Sequence, residues 1–236
     1  MSLLLHGDCL EQMKSIDTQS VDFIFCDLPY GQTSCKWDVI IPWEPFWNEI
    51  LRIKKLNTPI FFTTTTKFGV ELINNAPKKC PFRYDLVWVK SAPAGFLSAK
   101  KMPMRKHEMV YVFYEKLPLY DLSSHQHKFI NSTNGVKKDY NLYRKDINKV
   151  QNKQYDPPLP TTMLEIKSTK GKHSTEKPVA LMEWLLKYYS KEGDVVLDPT
   201  MGSGSTGVAC KNMNRNFIGI EKNDEIYQVA VNRIES

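Results

Sequence analysis

The 236-residue chain has no pair of cysteines at metal-binding spacing: its five, at positions 9, 26, 35, 80 and 210, are odd in number and form no Cys-x-x-Cys. That pattern excludes a disulfide framework and a zinc site, and it fits a reducing cytosol. There is no apolar run near the roughly 18 residues of a membrane span, so no membrane partner is expected. The opening MSLLLHGDCLEQ lacks a basic n-region, and its apolar stretch closes at His6, Gly7 and Asp8, which is not how a signal peptide reads; a cytoplasmic location is expected. No internal repeat occurs. What the chain does contain is ordinary for a folded domain: 42% hydrophobic residues, 25% charged, and 11% aromatic. Disorder is excluded, and the length is enough for one large domain or one domain with a sizeable insertion.

The net charge of +6 is unevenly spread. Residues 1–91 hold 10 Lys/Arg and 10 Asp/Glu, residues 92–172 hold 15 against 7, and residues 173–236 hold 7 against 9. All of the positive excess therefore lies in the middle third. A solvated basic surface is the plain explanation of such a run; the other is a segment that touches a polyanion, most often nucleic acid.

Strand-like and helix-like segments alternate along the first ninety residues. Val21–Cys26 has the β-branched and aromatic character of a buried parallel strand, as do Pro59–Thr64, Tyr84–Val89 and Glu108–Tyr114. Helical segments are expected over Cys9–Ile16, Pro45–Lys55 and Lys67–Asn75. From Glu115 to Thr169 no period persists, and so long a stretch is better read as a small irregular subdomain than as a loop. Order returns with a helix over Val179–Tyr189, a strand at Val195–Leu197, a helix over Ser205–Lys211, a strand at Asn216–Ile220 and a last helix from Asn223. Alternation of this kind implies an α/β fold with a mostly parallel sheet covered on both faces. Residues 1–115 and 171–236 make one domain, and residues 116–170 are an insertion whose basic character begins near 92.

Asp198-Pro-Thr-Met-Gly-Ser-Gly-Ser-Thr-Gly207 lies between a strand and a helix. Gly202, Gly204 and Gly207 satisfy GxGxxG, and the next strand ends at Glu221, an acid able to accept both ribose hydroxyl hydrogen bonds. No Lys-Ser/Thr follows the last glycine, which excludes a nucleoside-triphosphate P-loop. NAD and S-adenosylmethionine both fit this much. Only 15 residues follow Glu221, so the remaining strands must come from the N-terminal part, a permuted order for a dehydrogenase. Asp198 would also repel a pyrophosphate but attract the ammonium of a methionine moiety. S-adenosylmethionine is the favoured cofactor.

Asp27-Leu28-Pro29-Tyr30 follows directly on the strand Val21–Cys26. On its own this is an ordinary exit from a strand into a turn. Together with the glycine loop it resembles the amino-methyltransferases of DNA, whose catalytic motif is [DNS]PP[YFW] and whose cofactor motif has the form DPFxGSGTT. Here they read DLPY and DPTMGSGST. Gly7-Asp8-Cys9 resembles that family's strand-end contact for the cofactor's adenine, His173-Ser-Thr-Glu-Lys177-Pro178 its HPTxKP motif, and Trp88-Val89-Lys90 a strand-end signature. The order of motifs is similar to the family's β group, and the resemblance covers about 1–115 and 170–236.

The resemblance implies a seven-stranded methyltransferase-like Rossmann sheet. It implies that Asp8, Cys9, His173, Lys177, Asp198, Thr200, Gly202, Gly204, Thr206 and Glu221 bind S-adenosylmethionine. It also implies that Asp27, Leu28, Pro29 and Tyr30 act on the target. Leu28 stands where the family has a proline that offers its backbone carbonyl, and Thr200 where it has an aromatic. An exocyclic amine is a poor nucleophile because its lone pair is delocalised into the ring. Acceptance of its N–H bonds by Asp27 and the Leu28 carbonyl would free that lone pair, and Tyr30 would stack on a base turned out of the duplex. No Pro-Cys dipeptide is present, so the covalent chemistry of cytosine C5 methylation is not expected.

Asp27, where the cytosine-N4 enzymes usually have Ser, points to adenine N6. The other readings are cytosine N4, a catalytically silent homologue that binds DNA or a partner subunit, and methylation of RNA or protein amines. Lys100, Lys101, Arg105, Lys106, Lys137, Lys138, Arg144 and Lys145, interleaved with aromatics, are the expected contacts to double-stranded DNA. A homodimer and a cognate restriction enzyme are partners such a protein could have. His125 and His127 have no Cys or carboxylate at ligand spacing, and no metal is expected.

Overall fold

Four consecutive apolar residues, Phe23–Cys26, suit a strand covered on both faces, and all four are buried. This strand lies in the middle of an eight-stranded sheet. The computed structural model describes residues 1–33, 35, 38–127, 155–168 and 176–236. The strands are β1 (Ser2–His6), β2 (Phe23–Cys26), β3 (Ile60–Thr64), β4 (Phe82–Ala94), β5 (Arg105–Phe113), β6 (Gln126–His127), β7 (Tyr155–Asp156), β8 (Met163–Leu164), β9 (Val195–Asp198) and β10 (Asn216–Glu221). The helices are α1 (Cys9–Gln12), α2 (Trp43–Ile53), α3 (Thr66–Asn75), α4 (Val179–Tyr189), α5 (Ser205–Asn212) and α6 (Asp224–Glu235).

The order across the sheet is β1-β10-β9-β2-β3-β5-β4-β8. Only β5 runs against the rest, antiparallel to β3 and to β4. The strand beyond the expected seven is β8. It adds two residues outside β4, with Met163 opposite Val87 and Leu164 opposite Trp88, too short a run to leave a period in the sequence.

Side chains alternate along β3, and the two faces take different helices. Phe62 meets Trp47 of α2 at 5.6 Å between ring centroids, while Phe61 meets Tyr189 of α4 at 5.0 Å. Helix α2 buries Phe46, Trp47, Ile50 and Ile53, one stripe of a 3.6-residue period. Each such side chain contributes about 1.5–3 kcal/mol through its removal from water.

From β2 the chain moves outward through β3, and from β9 it moves the other way through β10. The adjacent pair β2 and β9 therefore marks the topological switch point, and open α/β sheets bind ligands at the carboxyl ends of the strands there. Asp27 follows the end of β2, and Asp198 ends β9.

Several boundaries differ from the sequence reading: α2 is Trp43–Ile53 rather than Pro45–Lys55, and β5 begins at Arg105 rather than Glu108. Helix α1 stops at Gln12 and continues as a 3-10 turn, Met13–Ser15. Strand β4 extends to Ala94, held by pairing with β5 (Ala94 opposite Arg105) through residues with little strand propensity of their own.

The chain divides into two compact units, Met1–Tyr120 with Thr162–Ser236, and Asp121–Thr161. Residues 162–168 thus go with the sheet. The second unit contains the antiparallel pair β6 and β7, with Gln126 opposite Asp156 and His127 opposite Tyr155. Within it, His125 Nδ1 lies 2.9 Å from the carbonyl of Pro157.

Candidate active site

The carboxylate of Asp27 is the centre of a polar cluster. Its Oδ1 accepts from the hydroxyls of Thr63, at the end of β3, and Tyr30, the latter at 3.2 Å. Its Oδ2 accepts from Lys177 Nζ at 2.7 Å. A carboxylate has about four lone-pair positions. Three are taken among the described residues, and the side chain remains 29% exposed, which leaves one position on Oδ2 without a partner among them.

Lys177 is 10% exposed and bridges two acids, Asp27 at 2.7 Å and Glu108 Oε1 at 3.1 Å. Burial alone would lower its pKa, but the two carboxylates outweigh burial and hold the ammonium above its ordinary value. Glu108 in turn binds Lys90 at 2.7 Å. Burial would raise the Glu108 carboxyl, and Lys177 and Lys90 together keep it below the usual range. Asp27, Lys177, Glu108 and Lys90 thus form a continuous chain of alternating charge running from the end of β2 to β4.

Asp198 is 2% exposed, and its hydrogen bonds come from neutral donors, the Thr206 hydroxyl at 2.6 Å and the Thr200 amide at 3.1 Å. Burial pushes its carboxyl up to about 7, and the charges of Asp27 and Glu221 add to the effect. At the end of β10, Glu221 accepts from the Gly202 amide at 3.1 Å and the Asn223 amide at 2.8 Å. The Thr200 hydroxyl donates to the backbone carbonyl of Asp27 at 3.1 Å, which ties the glycine loop to the loop after β2.

The glycines of the loop serve different ends. A Cβ on Gly202 would meet nothing within 4 Å among the described residues, and its φ is +51°, so the backbone there is open to close approach. On Gly204 and Gly207 a Cβ would strike Ile234 of α6, at 2.9 and 2.4 Å, so those two let a helix pack closely.

The family model described as DNA methylase matches residues 21–232. The chain belongs to the DNA methylase family. It is 27% identical to the type II methyltransferase M.HinfI of Haemophilus influenzae, over 99% of this chain and 68% of that one. It is also 27% identical to the DNA adenine methyltransferase YhdJ of Escherichia coli (strain K12), over 98% and 82%. Among solved structures, the M1.HpyAVI–SAM complex superposes with a TM-score of 0.67 at 24% identity, over 99% of this chain and all of that one. PvuII DNA methyltransferase, cytosine-N4-specific, gives 0.70 at 15% identity, over 98% and 86%. At these identities the solved structures establish the shared fold.

The remaining expected residues fall as follows. Leu28 is buried, so what it can offer a target is its backbone; Pro29 and Tyr30 are partly buried, and the Tyr30 ring lies 4.9 Å from that of Phe68. Burial and the charge of Asp27 raise the Tyr30 phenol well above its ordinary pKa. Asp8 caps α1 by accepting from the Leu10 amide and also binds Lys222, beside the end of β10. The Cys9 thiol belongs to the core, where burial pushes it up to about 12. Lys100, Lys101, Arg105 and Lys106 are exposed on the β4–β5 hairpin. His173, Lys137, Lys138, Arg144 and Lys145 lie outside the described residues.

Glu108, Thr63 and Lys90 escaped the sequence reading as site residues. A signal for Glu108 was present: it is an acid opening an otherwise apolar and aromatic strand segment. The spacing of Lys177 also gave no sign that its ammonium is committed to Asp27 and Glu108.

Proposed function

We propose that the chain transfers a methyl group from S-adenosylmethionine to the exocyclic N6 amine of adenine in duplex DNA, with the base turned out of the stack. The observation that carries this reading is the partly exposed Asp27 carboxylate at the switch point, with one acceptor position unfilled among the described residues. The residues present suit the cofactor. Asp198, Glu221 and Asp27 bring three carboxylates together with one buried ammonium, a surplus of negative charge that complements a cationic molecule. Glu221 ends β10 where a ribose acid is needed, Gly202 opens the loop to close approach, and Asp8 and Thr200 lie at the same edge of the sheet. When bound, the cofactor's sulfonium supplies an electrophilic methyl group.

The protein's task is then positioning and electrostatics. Asp27 accepts an N–H of the amine without giving up Lys177, Thr63 or Tyr30. The Leu28 carbonyl is the second acceptor, and together they draw the nitrogen toward a tetrahedral state with a free lone pair. Lys177 fixes the carboxylate's orientation, and the Thr200 hydroxyl fixes the backbone that carries it. The Tyr30 ring provides a stacking surface for the extruded base. The basic hairpin residues, with Lys137, Lys138, Arg144 and Lys145, supply contacts to phosphates.

Support for adenine over cytosine N4 comes from Asp27 at the head of the tetrapeptide and from the similarity to a relative named as an adenine methyltransferase. Nucleoside analysis of DNA treated with the protein and cofactor should yield N6-methyladenine. N4-methylcytosine alone would overturn the adenine assignment and leave the methylase assignment standing.

A further inference from the structure

The tip of the β4–β5 hairpin exposes two large apolar side chains side by side: Phe96 is 81% exposed and Leu97 fully so. They sit on a 3-10 turn, Phe96–Ser98, entered through Gly95 at φ +91°, a conformation that suits glycine and swings the chain out of β4. Met102 and Met104 are also exposed nearby. From 91 to 107 the chain has no acidic residue, while Lys100, Lys101, Arg105 and Lys106 follow the apolar pair directly.

The placement of this hairpin is informative. Strand β4 runs in the same direction as β2, so the tip leaves the sheet at the edge that bears Asp27 and Asp198. Its base is anchored to the site by the Lys90–Glu108–Lys177–Asp27 chain of ion pairs, and Ser91 and Ser168 exchange two hydrogen bonds beside it. Phe96 lies six positions beyond Lys90, a reach of up to about 20 Å at strand rise.

We propose that Phe96 and Leu97 form an apolar wedge that enters the base stack of duplex DNA beside the base being turned out, while the four cations hold the flanking phosphates. This rests on the methyltransferase reading above and adds the means by which the duplex is opened. Phenyl and isobutyl groups gain nothing from phosphates or water, but they gain from burial between unstacked bases, where apolar side chains offset the cost of opening a step. A second copy of this chain is the poorer occupant, because it would set four cations against four like charges. A polyanion with apolar base faces satisfies both halves of the hairpin.

The test uses the full chain carrying Phe96→Ala and Leu97→Ala, on a duplex bearing the site that wild-type protein methylates in genomic DNA. A second duplex has the target base opposite an abasic position, so that it starts unpaired. Transfer to the matched duplex should fall about 30-fold or more. Transfer to the abasic-opposed duplex should stay within about threefold of wild type, since the opening cost has been removed from the substrate. Cofactor affinity by calorimetry should be unchanged. Equal losses on the two duplexes would reduce the tip to a docking contact and overturn the wedge, and no loss on either would remove the tip from the reaction. A change in sedimentation of the DNA-free variant would assign the patch to a second copy instead. Failure of wild-type protein to methylate genomic DNA would overturn the methyltransferase reading itself, and the wedge with it.

Discussion

The carboxyl ends of β2 and β9 each present an aspartate at the same edge of the sheet, and the fold treats the two in opposite ways. Asp27 is partly exposed and is met by an ammonium and two hydroxyls. Asp198 is buried, meets neutral donors, and has its carboxyl pushed up to about 7. Desolvation penalises the ionised form of Asp198, whereas Asp27 has a counter-charge built into the protein beside it. The difference teaches a division of labour. Under the proposed function, the acid that accepts an N–H has its cation inside the protein, and the acid that faces a cationic ligand receives its counter-charge from outside.

The contrast breaks most severely at Lys177. Lys177→Met would leave Asp27 and Glu108 without the cation between them, and stranding largely buried charge costs about 3 kcal/mol here, the low end of the range because Asp27 keeps some solvent. Urea unfolding should show that loss, and adding Glu108→Gln should recover part of it. A wild-type midpoint for the single variant would mean that the ion chain contributes nothing to the fold.

Asp198 sharpens the contrast through pH. A cationic ligand selects the ionised carboxylate, so cofactor affinity should rise as pH increases through about 7 and level off above it. Between pH 6 and 8 the gain should be about tenfold, and calorimetry on Asp198→Asn should find weaker binding with a flat profile. Stability moves the other way. The folded carboxyl holds its proton up to about 7, against an ordinary 3.8, so through this group the fold loses stability as pH rises across that interval. An affinity in wild type that is flat from pH 6 to 8 would sink the assignment.

The smallest effect is expected where the two loops touch. Thr200→Val removes the hydrogen bond to the Asp27 carbonyl, worth about 1 kcal/mol, and should lower kcat about fivefold with KM for DNA nearly constant. Thr200→Ser should restore the rate. A Thr200→Val loss confined to KM for the cofactor would place residue 200 on the ligand rather than on the loop.

Local signals recovered most of the scaffold. Helix α4 occupies the stretch the sequence marks, Val179–Tyr189, because its apolar residues and the preceding Pro178 are all local information. The strand–loop–helix–strand order around Gly202 was legible for the same reason. Partners were not. Lys177 lies 150 residues from Asp27 in sequence, and Thr63 lies 36 from it. They meet because strand order places β3 next to β2, and no periodicity encodes strand order. The three glycines looked alike in sequence, yet the space beside Gly204 and Gly207 is claimed by Ile234, a residue near the end of the chain. Residues 90–94 of β4 have poor strand propensity; the pairing with β5 is irregular beyond Val89 and resumes at Ala94 opposite Arg105, a partnership no local signal encodes.

The reversal of β5 gives the active edge a freedom that a uniformly parallel sheet lacks. A parallel strand reaches this edge only as it ends, and the chain must then cross back over a face of the sheet. β5 begins at the edge, so the connection from β4 leaves and returns on one side and bears no weight for the rest of the fold. Doubling the length of such a loop adds only about 0.6 kcal/mol of closure cost. Residues 95–104 are therefore a place where insertions and replacements can accumulate while Asp27, Lys177 and Glu108 keep their geometry. Under the proposed function, that hairpin is where the contact with DNA can be varied while the chemical centre stays as it is.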